Sequence, residues 1–399
     1  MIAKVVHSSL NARGGSERLS VATIRALYSA GYEVVLETSE RPNTDLINES
    51  YGEDLSQLVS RKRTLRFVPS RPSFEKFDLC MNTHGDIVPY FRQGMSQKNS
   101  ITYCHFPLAA HLLSVRDREY SSFATNNAMA SCSTKNYSWF SNSLLTQYKK
   151  MLTETRVLTN SNFSKRAIYS SFGINSLVIS PPVDVEPFRK SALSSDNRQD
   201  VILVISRFHP SKKIENAISL ASLIKQNQLA KGMIIIGNIS PAGLGYRDYL
   251  TALARKYKIE NFVKFVYNAS FTLLTHFMSR CKVYLHPLPG EPFGISTVEA
   301  MSAGMIPVVH CIGGHSEFVP KKYWFDTFRS ALEAISRAFE APTYERIAVS
   351  NAVQKFSTAN FISKISKLAL EMTESEYLPE VEAPGILAPF STVDGTVAA

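Results

Sequence analysis

Residues 283–304 read VYLHPLPGEPFGISTVEAMSAG and contain the clearest structural pattern in the sequence. Its first three residues are an apolar run typical of a buried strand, and residues 286–294 form a loop rich in proline and glycine. Residues 295–303 are good helix formers, Gly304 ends the helix, and a second apolar run follows at 306–309. A strand, a loop, a helix and another strand in this order indicate an α/β protein with a parallel sheet.

The loop between the predicted strand and helix has the features of an anion site. The first backbone amides of a helix have no partners within it, and the helix dipole makes its start positive. Glu291 lies before the helix and Glu299 in its second turn, and carboxylates accept hydrogen bonds from ligand hydroxyl groups. This combination suits a sugar nucleotide, which carries phosphates and hydroxyls. The alternative is an ordinary strand, turn and helix with two solvated glutamates.

The composition is that of a globular protein. The chain has 399 residues, enough for two domains, with 44% hydrophobic and 20% charged residues. It contains no apolar run of 18 residues, and residues 1–7 lead directly into a strand, so we expect neither a membrane-spanning helix nor a signal peptide. The five cysteines are far apart and indicate reduced thiols in a cytoplasmic protein.

The formal net charge of +10 limits the classes of ligand. The sequence shows no basic helix, RNP-like aromatic motif or zinc module, so we expect no nucleic-acid partner. Anionic ligands or an anionic membrane surface explain the charge at least as well. No H-x-x-x-H or D-x-D spacing occurs, so we expect no metal site.

Strands and helices alternate along both halves of the sequence. In the first half we predict strands at 3–7, 33–37, 65–68, 77–82, 100–104, 156–159 and 177–180, with helices at 16–29, 137–152 and 163–171. In the second half we predict strands at 201–206, 233–237, 263–266, 283–285 and 306–309, with helices at 214–226, 246–257, 273–279, 295–303, 327–339 and 361–372. The alternation predicts doubly wound parallel sheets, which bind ligands at the carboxyl ends of their strands.

A proline-rich and then polar stretch separates the two halves. Residues 181–184 are PPVD, and residues 191–200 are polar and rich in turn formers. The sequence therefore predicts a Rossmann-like domain at 1–184, a second at 185–356, a C-terminal helix at 357–375 that packs back on the first domain, and a flexible tail at 376–399.

Two loops that follow predicted strands carry residues suited to phosphate. Gly14 and Gly15 follow the first strand, and adjacent glycines let a helix start approach a ligand closely, although the loop is neither GxGxxG nor a P-loop. Arg207 and Lys212 follow the first strand of the second half and straddle a turn, so they can converge on one phosphate. The alternatives are a plain strand–helix turn and a solvated basic turn.

His105 ends a predicted strand and is a candidate for contact with a ligand between the domains. Taken alone, a histidine here is more often satisfied within the core. Cys104 precedes it, and we interpret this thiol as buried filler rather than as a nucleophile because it lies on a strand between Tyr103 and His105.

The motifs occur in a recognisable order along the chain. Gly14 and Gly15 come first, Ser206, Arg207 and Lys212 form S-R-x4-K, and Glu291 and Glu299 form E-x7-E. Together they resemble the retaining glycosyltransferases of family 4, which have the GT-B fold. The segments HSSLNARGGSER, YCHFP, TNSNFSKRAI and PPVD look like the mannosyltransferases that extend the lipid-linked oligosaccharide of asparagine-linked glycosylation.

This resemblance implies two Rossmann-like domains that face each other across a deep cleft, with the acceptor side at 1–184 and the nucleotide-sugar side at 185–356. It implies transfer of a sugar, with mannose as the leading choice, from a GDP- or UDP-linked donor to a glycan or a polyprenyl-linked glycan. The new bond is an α-linkage formed with retention, and the resemblance implies neither a metal nor a cofactor. It also implies a cytoplasmic protein, for which peripheral contact with the cytosolic membrane face is left open.

The resemblance also assigns roles to the residues around the diphosphate. Arg207 and Lys212 would bind the donor diphosphate, helped by the helix start at Gly294, Ile295 and Ser296. These groups would oppose the negative charge that grows on the leaving diphosphate.

Other residues would bind the rest of the donor. By resemblance, Glu299 would hold the ribose hydroxyls and Glu291 the hydroxyls of the donor sugar, with a backbone contact from Phe293. His105 would contact the sugar across the cleft, and the glycine pair 14–15 would lie near the phosphates or the acceptor.

Two other functions remain open. One is another GT-B chemistry, such as a nucleotide-sugar epimerase, which product analysis without an acceptor would separate. The other is a catalytically silent nucleotide-sugar-binding protein, against which the intact set of motif residues argues.

A membrane contact of the predicted helix 137–152 is a further hypothesis. Tyr137, Trp139 and Phe140, with Lys149 and Lys150, would then lie on a bilayer. We favour the alternative, in which the apolar stripe of this helix is its core face.

Overall fold

The chain forms two α/β units, each built on one parallel sheet. The computed structural model describes residues 1–12, 14–64, 76–86, 99–107, 146, 148–193 and 198–374. The first unit comprises the described residues before 184 together with the helix at 358–374, and the second unit lies between them.

Seven strands lie in the described part of the first unit: β1 Ile2–Val6, β2 Glu33–Thr38, β3 Arg61–Thr64, β4 Leu79–Asn82, β5 Ser100–Cys104, β6 Arg156–Thr159 and β7 Leu177–Val178. Its helices include α1 Gly15–Ser29, α2 Thr44–Tyr51, α3 Leu55–Leu58 and α4 Asn162–Phe172. The strand order is β3-β2-β1-β4-β5-β6-β7, and every neighbouring pair is parallel. The order reverses beside β1, so the loop after β1 lies at the switch point where such sheets bind ligands.

Burial explains why these strands are parallel and central. Strands β4 and β5 are buried along their whole length, as expected for a sheet covered on both faces. The register places Val5 beside Leu36 on one side and Met81 on the other, so apolar side chains align across three strands. Helix α1 packs onto this sheet with Leu19 and Ile24 fully buried.

Six strands lie in the described part of the second unit: β8 Gln199–Ile205, β9 Gly232–Gly237, β10 Val263–Tyr267, β11 Cys281–His286, β12 Ile306–His310 and β13 Trp324–Phe325. Its helices include α5 Val185–Leu193, α6 Ile214–Gln226, α7 Leu244–Lys256, α8 Phe271–Arg280, α9 Ile295–Ser302, α10 Phe328–Phe339 and α11 Thr343–Ala352. The order is β10-β9-β8-β11-β12-β13, again parallel throughout. The switch point lies between β8 and β11, so the loops after these strands are neighbours.

In the residues that the structure describes, the chain crosses between the units twice, at Val183 and just before the helix that begins at Thr358. The Val183 amide donates to Phe356 O, and the Thr358 amide donates to Val183 O, so the two crossings pair as short strands. The last helix, α12 Thr358–Glu374, then packs against α1. Its residue Phe361 belongs to the hydrophobic core of the first unit.

Loops at the carboxyl ends of both sheets touch each other. The Ser161 hydroxyl, after β6, donates to Pro292 O over 2.6 Å. The Glu317 carboxylate of the second unit accepts from the amides of Asn162 and Phe163 at 3.1 and 2.7 Å. Glu317 thereby caps the start of α4 from the other unit. The ligand-binding edges of the two sheets therefore face each other.

Most predicted elements appear within a few residues of their expected positions, but several short ones were not predicted. These are β3, β13, α2, α3, α5 and α11. Strand β3 has the sequence RKRT. It was not predicted because an edge strand with solvated side chains needs no apolar alternation. The predicted strand 65–68, most of the predicted helix 137–152 and the tail 376–399 lie outside the described residues. Within the described ranges, no helix is both long and apolar enough to cross a bilayer.

Candidate active site

The loops after β1 and β11 bring two helix starts together. Helix α1 begins at Gly15 and helix α9 begins at Ile295, in different units. A Cβ atom on Gly15 would lie 2.4 Å from Ile295 Cδ1, so the absence of a side chain lets the two starts approach closely. Both helices present the positive ends of their dipoles to this region, an arrangement that suits a multiply charged anion.

The start of α9 is shaped by glycine and leaves amides free. Gly294 precedes the helix with a φ of 94°, a left-handed conformation that favours glycine. Within the described residues, the amides of Ile295 and Ser296 donate no hydrogen bond. The Ser296 hydroxyl is engaged, since it lies 2.8 Å from the hydroxyl of Tyr284. The backbone at this helix start is therefore available to a ligand.

Glu291 is held by two side chains in the loop before α9. Its Oε2 atom lies 3.2 Å from Lys212 Nζ and 3.5 Å from His286 Nε2. Burial opposes ionisation, but Lys212 and His286 outweigh it and hold the pKa of Glu291 below its usual value. Glu291 is therefore an ionised acceptor at neutral pH, and its charge keeps Lys212 at the site.

Glu299 lies in the second turn of α9, with 12% of its side chain exposed. Burial raises the pKa of Glu299, Arg18 lowers it and Asp184 raises it, with a net shift above the usual value. Arg18 Nη2 lies 3.9 Å from Glu299 Oε1, longer than a hydrogen bond. In the described part of the chain nothing donates a hydrogen bond to this carboxylate, so both oxygens are available to hydroxyl groups.

Arg207 and Lys212 share the loop after β8 but have different surroundings. Lys212 ends the short 3-10 helix Pro210–Lys212 and pairs with Glu291. Arg207 is exposed and forms no ion pair with another described residue. Burial lowers the pKa of His209, and both cations lower it further. The convergence of the two cations on one phosphate stays a prediction.

The side chain of Phe293 belongs to the core. Its ring packs against Phe318 and Phe356, with centroids 5.4 and 5.2 Å away. This packing anchors the loop before α9, so the predicted ligand contact of Phe293 is left to its backbone.

His105 lies at the carboxyl end of β5 and is engaged within its own unit. Its Nε2 atom lies 3.3 Å from Thr83 O, and its ring packs at 4.8 Å from the Tyr103 ring. Burial lowers the pKa of His105 to about 4, so the ring is neutral at pH 7. The Asp86 carboxylate accepts from the amides of His105 and Phe106 and fixes this turn. Contact of the ring with a ligand stays a prediction.

A buried histidine cluster at the ends of β1 and β4 was missed by the sequence reasoning. His7 Nδ1 lies 2.9 Å from Thr83 Oγ1, and His7 Nε2 lies 3.9 Å from Glu17 Oε1. His84 stacks on His7 at 4.9 Å, and burial lowers the pKa of His84 to about 4, with His7 adding to the effect. His7 directly follows β1 and His84 lies two residues after β4, which is close to the signal that singled out His105.

Three more site residues were missed, although each lies within or beside a quoted motif. Arg18 follows the glycine pair, and its Nη1 atom lies 2.6 Å from Asp184 Oδ2, in the PPVD segment. His286 ends β11 and contacts Glu291. Arg18 and Asp184 are far apart along the chain, and the nearby pair of His286 and Glu291 has no local pattern that indicates a contact.

The described residues offer no group of three or more His, Cys, Asp or Glu side chains that could hold a metal ion. Among the described cysteines, Cys80, Cys104 and Cys281 are buried. Burial raises the pKa of the Cys104 thiol well above its usual value, which suits an inert packed side chain rather than a nucleophile.

Comparison with known proteins finds a family match in the second unit. Residues 185–353 match the sequence model of the family Glycosyl transferases group 1. The chain is 25% identical over 304 residues to the GDP-Man:Man(3)GlcNAc(2)-PP-Dol alpha-1,2-mannosyltransferase of Dictyostelium discoideum, covering 71% of this chain and 57% of that protein. The Mus musculus protein of the same name is 27% identical over 168 residues, covering 40% and 34%. The matches therefore span 57% of the length of the Dictyostelium discoideum protein and 34% of the length of the Mus musculus protein.

Solved structures show the same architecture. Sucrose-phosphate synthase from Thermosynechococcus elongatus superposes with a TM-score of 0.69 at 16% identity, covering 94% of this chain and 100% of that chain. Anabaena HepE, in complex with UDP and glucose, gives 0.63 at 17% identity, with 94% and 100% covered. The expected GT-B fold of two Rossmann-like units is confirmed. The family match and the named relatives support the expected enzyme class, a glycosyltransferase.

Proposed function

We propose that this chain is a retaining glycosyltransferase of family 4 that transfers mannose from a nucleotide-sugar donor to a glycan or polyprenyl-linked glycan acceptor. One observation carries the proposal: the Lys212–Glu291 pair lies before the start of α9 and Glu299 lies in its second turn, while the start of α1 approaches Ile295 from the other unit. Cations, amides and carboxylates on one surface suit a ligand that combines phosphates with hydroxyls.

The donor diphosphate binds to Arg207, Lys212 and the amides of the α9 start in this proposal. Arg207 is free to turn towards the phosphates, since it forms no ion pair within the described ranges. Lys212 contacts both the phosphates and Glu291. Glu291 accepts hydrogen bonds from the hydroxyls of the donor sugar. Glu299 accepts the ribose hydroxyls, because its oxygens have no other donor among the described residues.

Charge development explains why these groups suit the reaction. Glycosyl transfer passes through an oxocarbenium-like state, in which positive charge grows on the sugar and negative charge on the departing diphosphate. Arg207, Lys212 and the start of α9 stabilise the diphosphate, so we propose transfer without a metal ion. The carboxylate of Glu291 stabilises the sugar. The acceptor hydroxyl attacks on the face that the diphosphate leaves, which retains the α configuration without a protein nucleophile.

The sugar and the acceptor are proposed from the relatives. Their names give GDP-Man as donor and Man(3)GlcNAc(2)-PP-Dol as acceptor. A polyprenyl-linked acceptor is anchored in a bilayer, so we propose that the protein works in the cytoplasm and contacts the cytosolic membrane face peripherally. The formal net charge of +10 supports contact with an anionic surface.

Donor binding is the first experiment. A panel of GDP- and UDP-sugars is screened for an increase in the unfolding temperature, because a bound nucleotide stabilises the folded protein by mass action. The stabilising donor, radiolabelled in its sugar, is then offered to a polyprenyl-diphosphate oligosaccharide with and without a chelator. We expect labelled lipid in both cases, and a requirement for added metal would contradict metal-independent transfer.

Two variants test the site itself. Arg207→Ala and Glu299→Ala should abolish transfer while the circular dichroism spectrum stays native. Arg247→Ala is the matched control, because Arg247 is a partly exposed arginine of the same unit that pairs with Asp248. Full activity in both site variants would contradict the assignment. Epimerised sugar formed without acceptor would instead identify an epimerase, and donor binding without turnover would identify a silent binding protein.

A further inference from the structure

Arg18 connects the two units beside the proposed ribose site. It lies in the first turn of α1, three residues after Gly15, with 21% of its side chain exposed. Its Nη1 atom lies 2.6 Å from Asp184 Oδ2, and its Nη2 atom lies 3.9 Å from Glu299 Oε1. One guanidinium thus faces two carboxylates that both come from outside its own sheet.

Asp184 is fixed where the chain crosses between the units. The Thr358 hydroxyl donates to its second oxygen, Oδ1, over 2.7 Å. The neighbouring residue Val183 pairs with the second crossing through backbone hydrogen bonds at both sides. Asp184 is therefore an anchored partner, and it holds the Arg18 guanidinium at a defined position near Glu299.

The guanidinium makes a hydrogen bond with one carboxylate and a longer electrostatic contact with the other. The short contact, at 2.6 Å, goes to Asp184 and uses the hydrogen-bonding capacity of Nη1. The contact with Glu299, at 3.9 Å, supplies charge without taking a lone pair. Glu299 is left with unoccupied oxygens, which is the state that a hydroxyl-binding carboxylate needs.

Glu299 depends on this charge because its other surroundings oppose ionisation. Burial is the largest influence and raises the pKa of Glu299, Arg18 lowers it, and Asp184 raises it. Tyr284 faces the site from β11, and burial raises its pKa, so it is neutral at physiological pH. Arg18 is thus the cation that opposes burial and Asp184 at this carboxylate.

We infer that Arg18 is a positioning residue for donor binding, which keeps Glu299 ionised and unoccupied and ties it to Asp184 at the crossing between the units. The inference rests on the proposed role of Glu299 as acceptor for the ribose hydroxyls. Arg18 itself need not touch the ligand.

The test compares Arg18→Met with Arg25→Met as matched control. Arg25 lies on the same helix, but it is 45% exposed and pairs with Glu53 at 3.6 Å. Titration calorimetry with GDP, and with UDP in parallel, is run between about pH 6 and pH 8.5. In Arg18→Met the affinity should stay near native at the alkaline end and fall by roughly tenfold at the acid end, as expected when a carboxylate protonates. Arg25→Met should follow the native protein throughout.

Two further comparisons make the result specific. Glu299→Gln should weaken GDP binding without this pH dependence, and adding Arg18→Met to it should cause no further pH-dependent loss. A 2′,3′-dideoxy nucleotide lacks the hydroxyls, so its weaker binding should be the same in the native protein and Arg18→Met. Arg18→Lys should recover part of the GDP affinity that Arg18→Met loses at acid pH, because a lysine keeps the charge.

The outcomes separate this inference from the proposed function. If Glu299→Gln weakens binding but Arg18→Met behaves like Arg25→Met, or loses affinity equally at every pH, the inference fails and the donor site stands. If neither GDP nor UDP binds the native protein, the proposed function fails. The link between Arg18 and Glu299 is then still measured by thermal unfolding, where the two substitutions should be non-additive at about pH 8 and additive at acid pH. Additivity at both would overturn it. If Arg18→Met does not fold, Arg18→Gln, which also removes the charge but keeps a polar side chain, carries the same comparisons.

Discussion

Replacing Lys212 by methionine should leave Glu291 as a buried carboxylate with one weak partner. In the native protein Lys212 Nζ lies 3.2 Å from Glu291 Oε2, and the two side chains are 22% and 15% exposed. At this distance and an effective dielectric constant of about 20, the Coulomb attraction is about 5 kcal/mol. Desolvation and partial exposure offset more than half of it, so we expect the free energy of unfolding at neutral pH to fall by about 2 kcal/mol.

The loss of unfolding free energy should depend on pH, and the titration of Glu291 determines whether it grows or shrinks as the pH falls. In the native protein burial raises the pKa of Glu291, but Lys212 and His286 lower it more. The stabilisation is therefore present above the unfolded-state pKa and lost as the pH falls through the folded-state pKa. Without Lys212, burial raises the folded-state pKa, so protonation of Glu291 relieves the penalty. The stability difference between native protein and variant should shrink between about pH 7.5 and pH 5.

Urea unfolding followed by Trp324 fluorescence measures this loss in the second unit. The sequence has two tryptophans, so Trp139→Phe in the background leaves Trp324 as the reporter. Lys282→Met is the control, because Lys282 contacts Asp200 at 2.6 Å in a more exposed pair, at 30% and 41%. It should cost less than about 1 kcal/mol. The reasoning is refuted if Lys212→Met loses the same stability at both pH values, or no more than Lys282→Met.

Three further predictions concern packing between and within the units. In Gly314→Ala the new Cβ would lie 2.0 Å from Pro292 O, so the urea assay should show a loss of about 1–3 kcal/mol; native stability would mean that the loop moves aside freely. Glu317→Gln weakens the cap on the Phe163 amide, now 2.7 Å from the carboxylate, so hydrogen exchange at that amide should accelerate by roughly tenfold, and unchanged exchange would contradict the cap. Burial raises the pKa of Cys104, so iodoacetamide should label it only after denaturation, and fast labelling of the native protein would contradict its burial.

The order of elements around the candidate site could be predicted because its signals are local. Proline and glycine mark the loop at 286–294, apolar runs mark β11 and β12, and the spacing of Glu291 and Glu299 places both beside one helix start. These features depend on neighbours in the sequence, which a reader of the sequence can see. The same holds for Lys212, whose loop follows a clear apolar strand.

The partners of these residues could not be predicted, because contacts between distant segments leave no periodic trace. Arg18 is one of many charged residues on helices, and its position beside Glu299 exists only when both sheets are assembled. His286 lies in the opening stretch, yet its sequence neighbours give no reason to pair it with Glu291. Strand β3 was missed for a different reason, because solvated edge strands carry no apolar pattern.

Helix α12 has a consequence for how the chain matures on the ribosome. Phe361, Ile365 and Leu368 lie in the same hydrophobic core as Val5 and Leu19, so strands of the first unit are completed by a helix that is synthesised after the whole second unit. The second unit is contiguous and has its own core, so it can close while the first still exposes an apolar groove. Folding here is finished in the reverse of the usual order, in which the N-terminal domain folds first. Chaperones that bind apolar surface therefore have their natural target in the nascent first unit, until α12 leaves the exit tunnel.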